Sequence, residues 1–393
     1  MKIAIAHDFL FQYGGAEKVV EKWLEMYPNA VIYTSFLIPE KFNSSPVFVK
    51  AIADGRIKTT FVQKFFELSW ATKFQKHLFW LYPLAMKTHK LIGYDTVLIS
   101  STDCGKQIQI EGKPKILHYC HSPVRYLHGL TTEVDHNQLS KIQRFVISLV
   151  KPFLRKLDLG AMKYLQSKNA ILVANSNFIK DTIKAVYGQT STVVYPPIET
   201  KVFANNPRNP SGEEFYLSHG RISFHKRIDL AILACLERGA RLKIEGISAR
   251  AEEMEQLQKI VVDWERENPN QISKIEFLGR TSDEVYFENL KHCKAFLFPG
   301  KEDFGIAPVE VLAAGVPVIA YKAGGALEYV VDITDKNTVG GNGVFFAEQT
   351  QTSLQTAISE FELVQNWDEQ FIRNSAIAFD TKTFENQIKN LTA

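Results

Sequence analysis

The segment with the most chemical content runs from Phe298 to Gly315 and carries Glu302 and Glu310. Pro308 suits the first turn of a helix, where its missing N–H costs nothing. Gly315 suits the position just past a helix end. Together they frame a short helix near Ala307–Ala314, whose free amides from Phe304 to Ala307 face the end of a strand. Such a terminus attracts anions through N–H donors and the helix dipole. Glu302 falls in the loop before the helix and Glu310 one to two turns inside it. One carboxylate can then face an open cleft while the other meets a ligand lying along the helix, and carboxylates accept well from sugar hydroxyls. An isolated glutamate pair reads equally as a solvated loop residue and an ordinary helix residue. The flanking strand, Pro308 and Gly315 favour the site.

A second segment, Ser218 to Asp229, follows a short apolar run and places Arg221 and Lys226 in its loop. An Arg fork plus a Lys point charge suits a diphosphate and can hold the charge of a departing phosphate. A basic surface loop is the plainer alternative. Gly14-Gly15 precedes the first helical pattern and lets backbone approach phosphate, or simply makes a tight turn; Gly324-Gly325 carries the same ambiguity. The fuller G-x-G-x-x-G fingerprint is absent, which removes support for a nicotinamide dehydrogenase. His121, in the string His118 to Tyr126, could face a cleft as a hydrogen-bonding group or proton carrier, or serve structure alone. Neither a glycine-elbow serine nor an H-E-x-x-H helix occurs.

These groups need strands and helices to hold them, and the chain supplies two sets. Buried strands are expected at Ile3–Ala6, Val31–Ser35, Thr96–Ile99, Ile116–Tyr119, Ala170–Ala174 and Thr192–Tyr195. After a Pro- and Asn-rich linker at 196–214 the alternation restarts with Phe215–Ser218, Arg241–Glu245, Ile275–Leu278, Ala295–Pro299 and Val316–Tyr321. At 393 residues the length fits two α/β domains. Residues 1–198 and 199–375 are their expected bounds, with 376–393 a C-terminal helix packing back on the first. The Lys+Arg count of 46 against 43 Asp+Glu gives a net charge of +3, which excludes a strongly basic nucleic-acid binder. Four cysteines, at 104, 120, 235 and 293, form no C-x-x-C pair, so a zinc knuckle and a dithiol motif are both excluded. The first apolar run is too short for a signal peptide, and no apolar stretch reaches the ~18–20 residues of a membrane span.

Taken in order along the chain, these motifs resemble a known set. Gly14-Gly15-Ala16-Glu17, the His121 string, Asn175-Ser176-Asn177-Phe178-Ile179, Gly220-Arg221 with Lys226-Arg227, and Glu302 with Glu310 look like glycosyltransferase family 4, the retaining sugar-nucleotide transferases of the GT-B fold. The likeness spans residue 3 to about 385. It implies an α/β fold of two facing Rossmann-like domains with parallel sheets and a C-terminal helical segment, the donor lying mainly in the second domain. It implies that Glu302 and the backbone amides after it, at Asp303, Phe304, Gly305 and Ile306, hold the donor sugar. Glu310 would bind the ribose hydroxyls. Arg221 and Lys226 would grip the diphosphate with help from Gly14 and Gly15, Arg280 and Thr281 would meet the nucleobase, and His121 would lie near the transferred sugar. No metal and no cofactor beyond the sugar nucleotide are implied. The His-Ser-Pro-Val-Arg-Tyr string is similar to bacterial O-antigen and capsule mannosyltransferases, which makes GDP-mannose the expected donor. Retention without a protein nucleophile is implied, the donor phosphate taking the acceptor proton on the same face.

The first domain also holds an unusual stretch, Lys58 to Lys90, with Phe61, Phe65, Phe66, Trp70, Phe74, Phe79, Trp80 and Tyr82 among its lysines. Lys141 to Lys168 is likewise basic, with Asp158 its one acid. Aromatics with Lys suit an anionic lipid interface, and cross-packed helices with solvated lysines are the alternative. The expected partners are therefore a sugar nucleotide, a lipid-linked saccharide acceptor and an anionic membrane surface. The expected location is cytoplasmic, peripheral on the inner face of the cytoplasmic membrane. A same-fold epimerase or phosphorylase, and a non-catalytic sugar-nucleotide module, are the competing readings.

Overall fold

Long apolar runs separated by amphipathic helices build two parallel sheets. The computed structural model describes residues 1–67, 80–130, 141–209, 214–248, 250–335 and 339–393. The chain divides into one unit of Met1–Pro197 with Lys382–Ala393 and another of Ile198–Thr381.

In the first unit seven strands form the main sheet: β1 (Ile3–His7), β2 (Val31–Tyr33), β3 (Ile57–Lys58), β4 (Thr96–Ser101), β5 (Lys115–Cys120), β6 (Ile171–Ala174) and β7 (Thr192–Val193). Their order is β3-β2-β1-β4-β5-β6-β7, and every pair is parallel. Side chains alternate between faces. Ile3, Ile5, Leu98 and Leu117 meet one buried cluster, with Trp23 of the helix Gly15–Met26 and Phe384 and Ile388 of the helix Thr381–Thr392. Ala4, Ala6, Val97, Ile99 and Ile116 meet another on the opposite face. Because both faces are covered, the strands read as continuous apolar runs.

The second unit has β8 (Phe215–His219), β9 (Arg241–Glu245), β10 (Ile275–Gly279), β11 (Phe296–Phe298), β12 (Val318–Tyr321) and β13 (Gly343–Phe346). Their order is β10-β9-β8-β11-β12-β13, all parallel. Strand order reverses between β8 and β11, so the loops leaving these two strands flank the crevice where open α/β sheets take ligands.

Three expectations need correction. The stretch 196–214 is not merely a linker: Ile198 bridges Asp380, and Thr200–Ala204 is a helix whose last carbonyl accepts from Arg373 Nη1. The second unit runs to Thr381 rather than ending at 375, because Phe379 packs on Phe304 and Tyr329 within it. Of the Lys58–Lys90 stretch, Phe66 stacks on Phe36 with ring centroids 3.7 Å apart, and Tyr82 is buried, so these two serve the core rather than an interface. Phe61 and Trp80 are exposed, and Trp70, Phe74 and Phe79 lie outside the described residues.

Candidate functional site

In the second unit the loop after β8 turns at Gly220, whose φ of +122° is open to glycine and strained for other residues. It presents Arg221 at the surface, then a short 3-10 turn ending at Lys226. The loop after β11, Pro299–Gly305, faces it. Lys226 Nζ lies 2.7 Å from Glu302 Oε1, each side chain about four-fifths covered. The expected phosphate-binding lysine and the expected sugar-binding glutamate therefore form one ion pair.

Glycines let these loops meet. A Cβ on Gly300 would lie 2.8 Å from the Lys226 Cα, and one on Gly246, after β9, would lie 1.9 Å from the Gly220 carbonyl oxygen. Gly324-Gly325, ambiguous in the sequence, props the Glu302 loop from below. Gly325 N–H donates to the Glu302 carbonyl at 2.9 Å, and its own Cβ would stand 2.1 Å from the Phe304 carbonyl oxygen. The Tyr329 hydroxyl donates to that same carbonyl at 3.0 Å.

Gly305, at φ +87°, turns the chain into the helix Ile306–Ala313. Ile306 and Ala307 then carry first-turn amides without intrahelical acceptors. Asp303 is half-buried beside them. Phe304 is buried against Tyr329 and Phe379, so its backbone alone can serve a ligand. Glu310 is buried on the same helix. Arg280 and Thr281 follow the edge strand β10, the first exposed and the second half-buried. Neither has a side-chain partner among the described residues.

Sequence reasoning missed a group beside Arg221. Register pairs His219 with Glu245 across β8 and β9, and His219 Nδ1 lies 2.9 Å from Glu245 Oε2. The imidazole stacks on Tyr286 at 3.8 Å, and Asn289 donates to the other Glu245 oxygen. The signal was present in Ser218-His-Gly-Arg, but the carboxylate comes from the neighbouring strand.

Gly14, Gly15 and His121 belong to the first unit. Gly14 N–H is taken by Glu17 Oε2 at 2.9 Å, a self-capping bond that leaves Gly15 to open the helix. His121 continues β5, its N–H donating to the Ser101 carbonyl at 3.0 Å and its Nε2 lying 2.8 Å from Ser100 Oγ. Burial first, and His7 beside it, push its pKa down to about 3, so the ring is neutral. Among the described residues no group of three or more His, Cys, Asp or Glu is placed to hold a metal ion.

The profile of the family described as Glycosyl transferases group 1 matches residues 199–377. The chain is 26% identical to the alpha-1,3/1,6-mannosyltransferase ALG2 of Saccharomyces cerevisiae, with 93% of this chain and 78% of that protein covered. Among solved structures, HepE of Anabaena in complex with UDP superposes with a TM-score of 0.66 at 17% identity, covering 99% of both chains. Sucrose-phosphate synthase of Thermosynechococcus elongatus superposes equally well, at 0.66 and 16% identity, over 100% of this chain and 98% of that one.

Proposed function

We propose that this chain, a GT4-type hexosyltransferase of the GT-B fold with a group 1 domain, moves mannose from GDP-mannose to a lipid-linked saccharide with retention. The observation that carries the reading is the Lys226–Glu302 pair at the strand-order reversal of the second unit. A diphosphate arriving there competes with Glu302 for Lys226. Lys226 with Arg221 then holds the departing charge, and Glu302 turns to the sugar hydroxyls. The amides from Asp303 to Ile306 and the helix they open add partial positive charge for the donor. Glu310 takes the ribose, Arg280 and Thr281 the base. In the first unit Gly15 lends an amide to the phosphates, and His121 supplies a neutral imidazole for a sugar hydroxyl. The donor phosphate removes the acceptor proton, so the protein contributes position and preorganised charge. Mannose is favoured by the name of the yeast relative, and the setting in surface polysaccharide synthesis rests on the His121–Tyr126 string alone.

A lipid-linked acceptor calls for a membrane surface. No helix among the described residues is long and apolar enough to cross one. The helix Lys141–Ser167 instead turns Leu154, Ala161, Met162 and Leu165 inward, leaving Leu149 and Phe153 exposed among Arg155, Lys156 and Lys163. Apolar groups among cations suit an anionic lipid surface.

The test is a transfer assay with GDP-mannose, GDP-fucose, UDP-glucose or UDP-galactose and a synthetic lipid-diphosphate oligosaccharide. Gain of one hexose in the α configuration from GDP-mannose is the expected result. Isomerised sugar nucleotide without acceptor would indicate an epimerase, and nucleotide binding without turnover a binding module.

A further inference from the structure

The first unit holds a buried hydrogen-bonded chain that ends on His121 and whose other members, Glu17, His7 and Ser100, the donor reading does not use. The β1–β4 register pairs His7 with Ser100, and the β4–β5 register pairs Ser100 with Tyr119. Strand alternation then puts His7, Ser100, Tyr119 and His121 on one face, beneath the helix that carries Glu17. His7 and Ser100 are buried, as is Glu17. His7 Nδ1 lies 3.2 Å from the Ser100 carbonyl oxygen and 3.0 Å from Ser100 Oγ. His7 Nε2 lies 3.5 Å from Glu17 Oε1.

A carbonyl oxygen only accepts, so His7 Nδ1 carries a proton and donates. Ser100 Oγ receives part of that donation, which leaves its own hydrogen for the 2.8 Å contact with His121 Nε2. A nitrogen that accepts carries no proton. His121 is neutral, so its single ring proton must sit on Nδ1. Burial works against a charged His7, but the Glu17 carboxylate, with Asp8 and the Ser100 carbonyl, outweighs it and holds the pKa above the ordinary value. The proton that the Ser100 carbonyl requires on Nδ1 fixes the direction of the chain whatever the charge on His7.

We propose that Glu17, His7 and Ser100 are positioning residues that hold His121 in its Nδ1–H tautomer, so that Nδ1–H is the donor offered to substrate. His121 Nδ1 has no hydrogen-bond partner among the described residues, which leaves that donor available. The chain also explains Glu17: its Oε2 caps Gly14 while its Oε1 faces His7, so one carboxylate ties the glycine turn to the histidine. The effect on transfer rests on the donor reading above; the tautomer does not.

The test is nitrogen NMR of protein labelled with 15N-histidine, the His121 signals being assigned by their loss in His121→Asn. In the unmutated protein at neutral pH we expect a protonated Nδ1 and an unprotonated Nε2. Ser100→Ala and His7→Leu should move the proton toward Nε2, while His7→Asn, whose amide replaces the Nδ1 donor, should keep it on Nδ1. In transfer assays Ser100→Ala should lower kcat about tenfold with donor KM little changed. An unmutated His121 protonated on Nε2 overturns the proposal without any variant, as does an unchanged tautomer in both Ser100→Ala and His7→Leu. If the unmutated protein transfers no mannose yet shows the Nδ1–H form, the donor reading fails and the tautomer chain stands.

Discussion

Gly300 and Lys226 are held so close that a methyl group on the glycine would stand 2.8 Å from the lysine Cα. The next nearest neighbours of that methyl are also backbone, the His225 and Lys226 carbonyl oxygens at 3.0 and 3.1 Å. Backbone cannot swing aside as a side-chain tip can, so Gly300→Ala must part the two loops and stretch the Lys226–Glu302 pair. The expected result is a fall in kcat/KM of about tenfold or more, since small misplacements at a reacting centre are costly. Weaker GDP binding by calorimetry should accompany it. Unchanged GDP affinity and turnover would mean the loop contact does not set the site.

Arg221 and Lys226 lie in the loop leaving β8, where a phosphate's developing charge would be met. Replacing either by Ala is expected to lower kcat/KM by roughly 10²–10³, the usual consequence of removing one transition-state charge partner. Steady-state kinetics with GDP-mannose measure this. Near-normal turnover in both variants would remove the diphosphate assignment.

The two glutamates should separate. Glu310→Gln is expected to weaken binding of free nucleoside diphosphate, because the proposed function gives Glu310 the ribose. Glu302→Gln should lower turnover and leave nucleoside diphosphate affinity equal or improved, since Lys226 no longer has a competing carboxylate. Calorimetric titration with GDP discriminates the two, and equal loss in both variants contradicts the division of roles.

Much of this architecture is legible in the sequence for one physical reason: strands covered on both faces must be apolar throughout. Arg241–Glu245 falls where it was expected, and Arg221, Lys226 and Glu302 fall in loops at strand ends. What pairs across strands is not legible. The Lys226–Glu302 contact, the His219–Glu245 contact and the His7–Ser100–His121 chain depend on register and on which strands become neighbours. Gly246, Gly300 and Gly325 look like ordinary turn residues until the loops they touch are in place. The strand Gly343–Phe346 went unread because it is short and follows Gly340-Gly341-Asn342. Aromatic clustering at 58–90 suggested an interface, yet Phe66 and Tyr82 are core residues, since composition alone does not say which way a ring points.

Asp103 gives a pH-dependent prediction. Burial, with Asp8 and Asp158 nearby and Lys106 only partly offsetting them, pushes its carboxyl from 3.8 up to about 7. The folded protein therefore keeps this proton where the unfolded chain has lost it, and stability from this group falls as pH rises from about 4 to 7. Asp103→Asn removes the ionisation. Its melting temperature relative to the unmutated protein should rise between pH 5 and pH 7 and level off by pH 8. A difference that stays constant over that range would show that Asp103 ionises normally.

The exposed face of the helix Lys141–Ser167 makes two separable predictions about lipid. Attraction of Arg155, Lys156 and Lys163 to anionic headgroups should be screened by salt, because the Debye length falls from ~10 Å at 0.1 M to ~3 Å at 1 M. Insertion of Leu149 and Phe153, which are 65% and 48% exposed, should resist it. In sedimentation with vesicles of phosphatidylglycerol and phosphatidylcholine, the unmutated protein is expected to pellet at low salt and to be released only in part at 1 M. Lys156→Glu with Lys163→Glu should reduce low-salt binding, and Leu149→Ala with Phe153→Ala should remove the salt-resistant fraction. Neither pair is among the residues proposed to hold the donor, so GDP affinity should stay at its unmutated value in all four substitutions. Protein that remains in the supernatant at low salt would leave this face without a lipid role, and the lipid-linked acceptor would then need another route to the site.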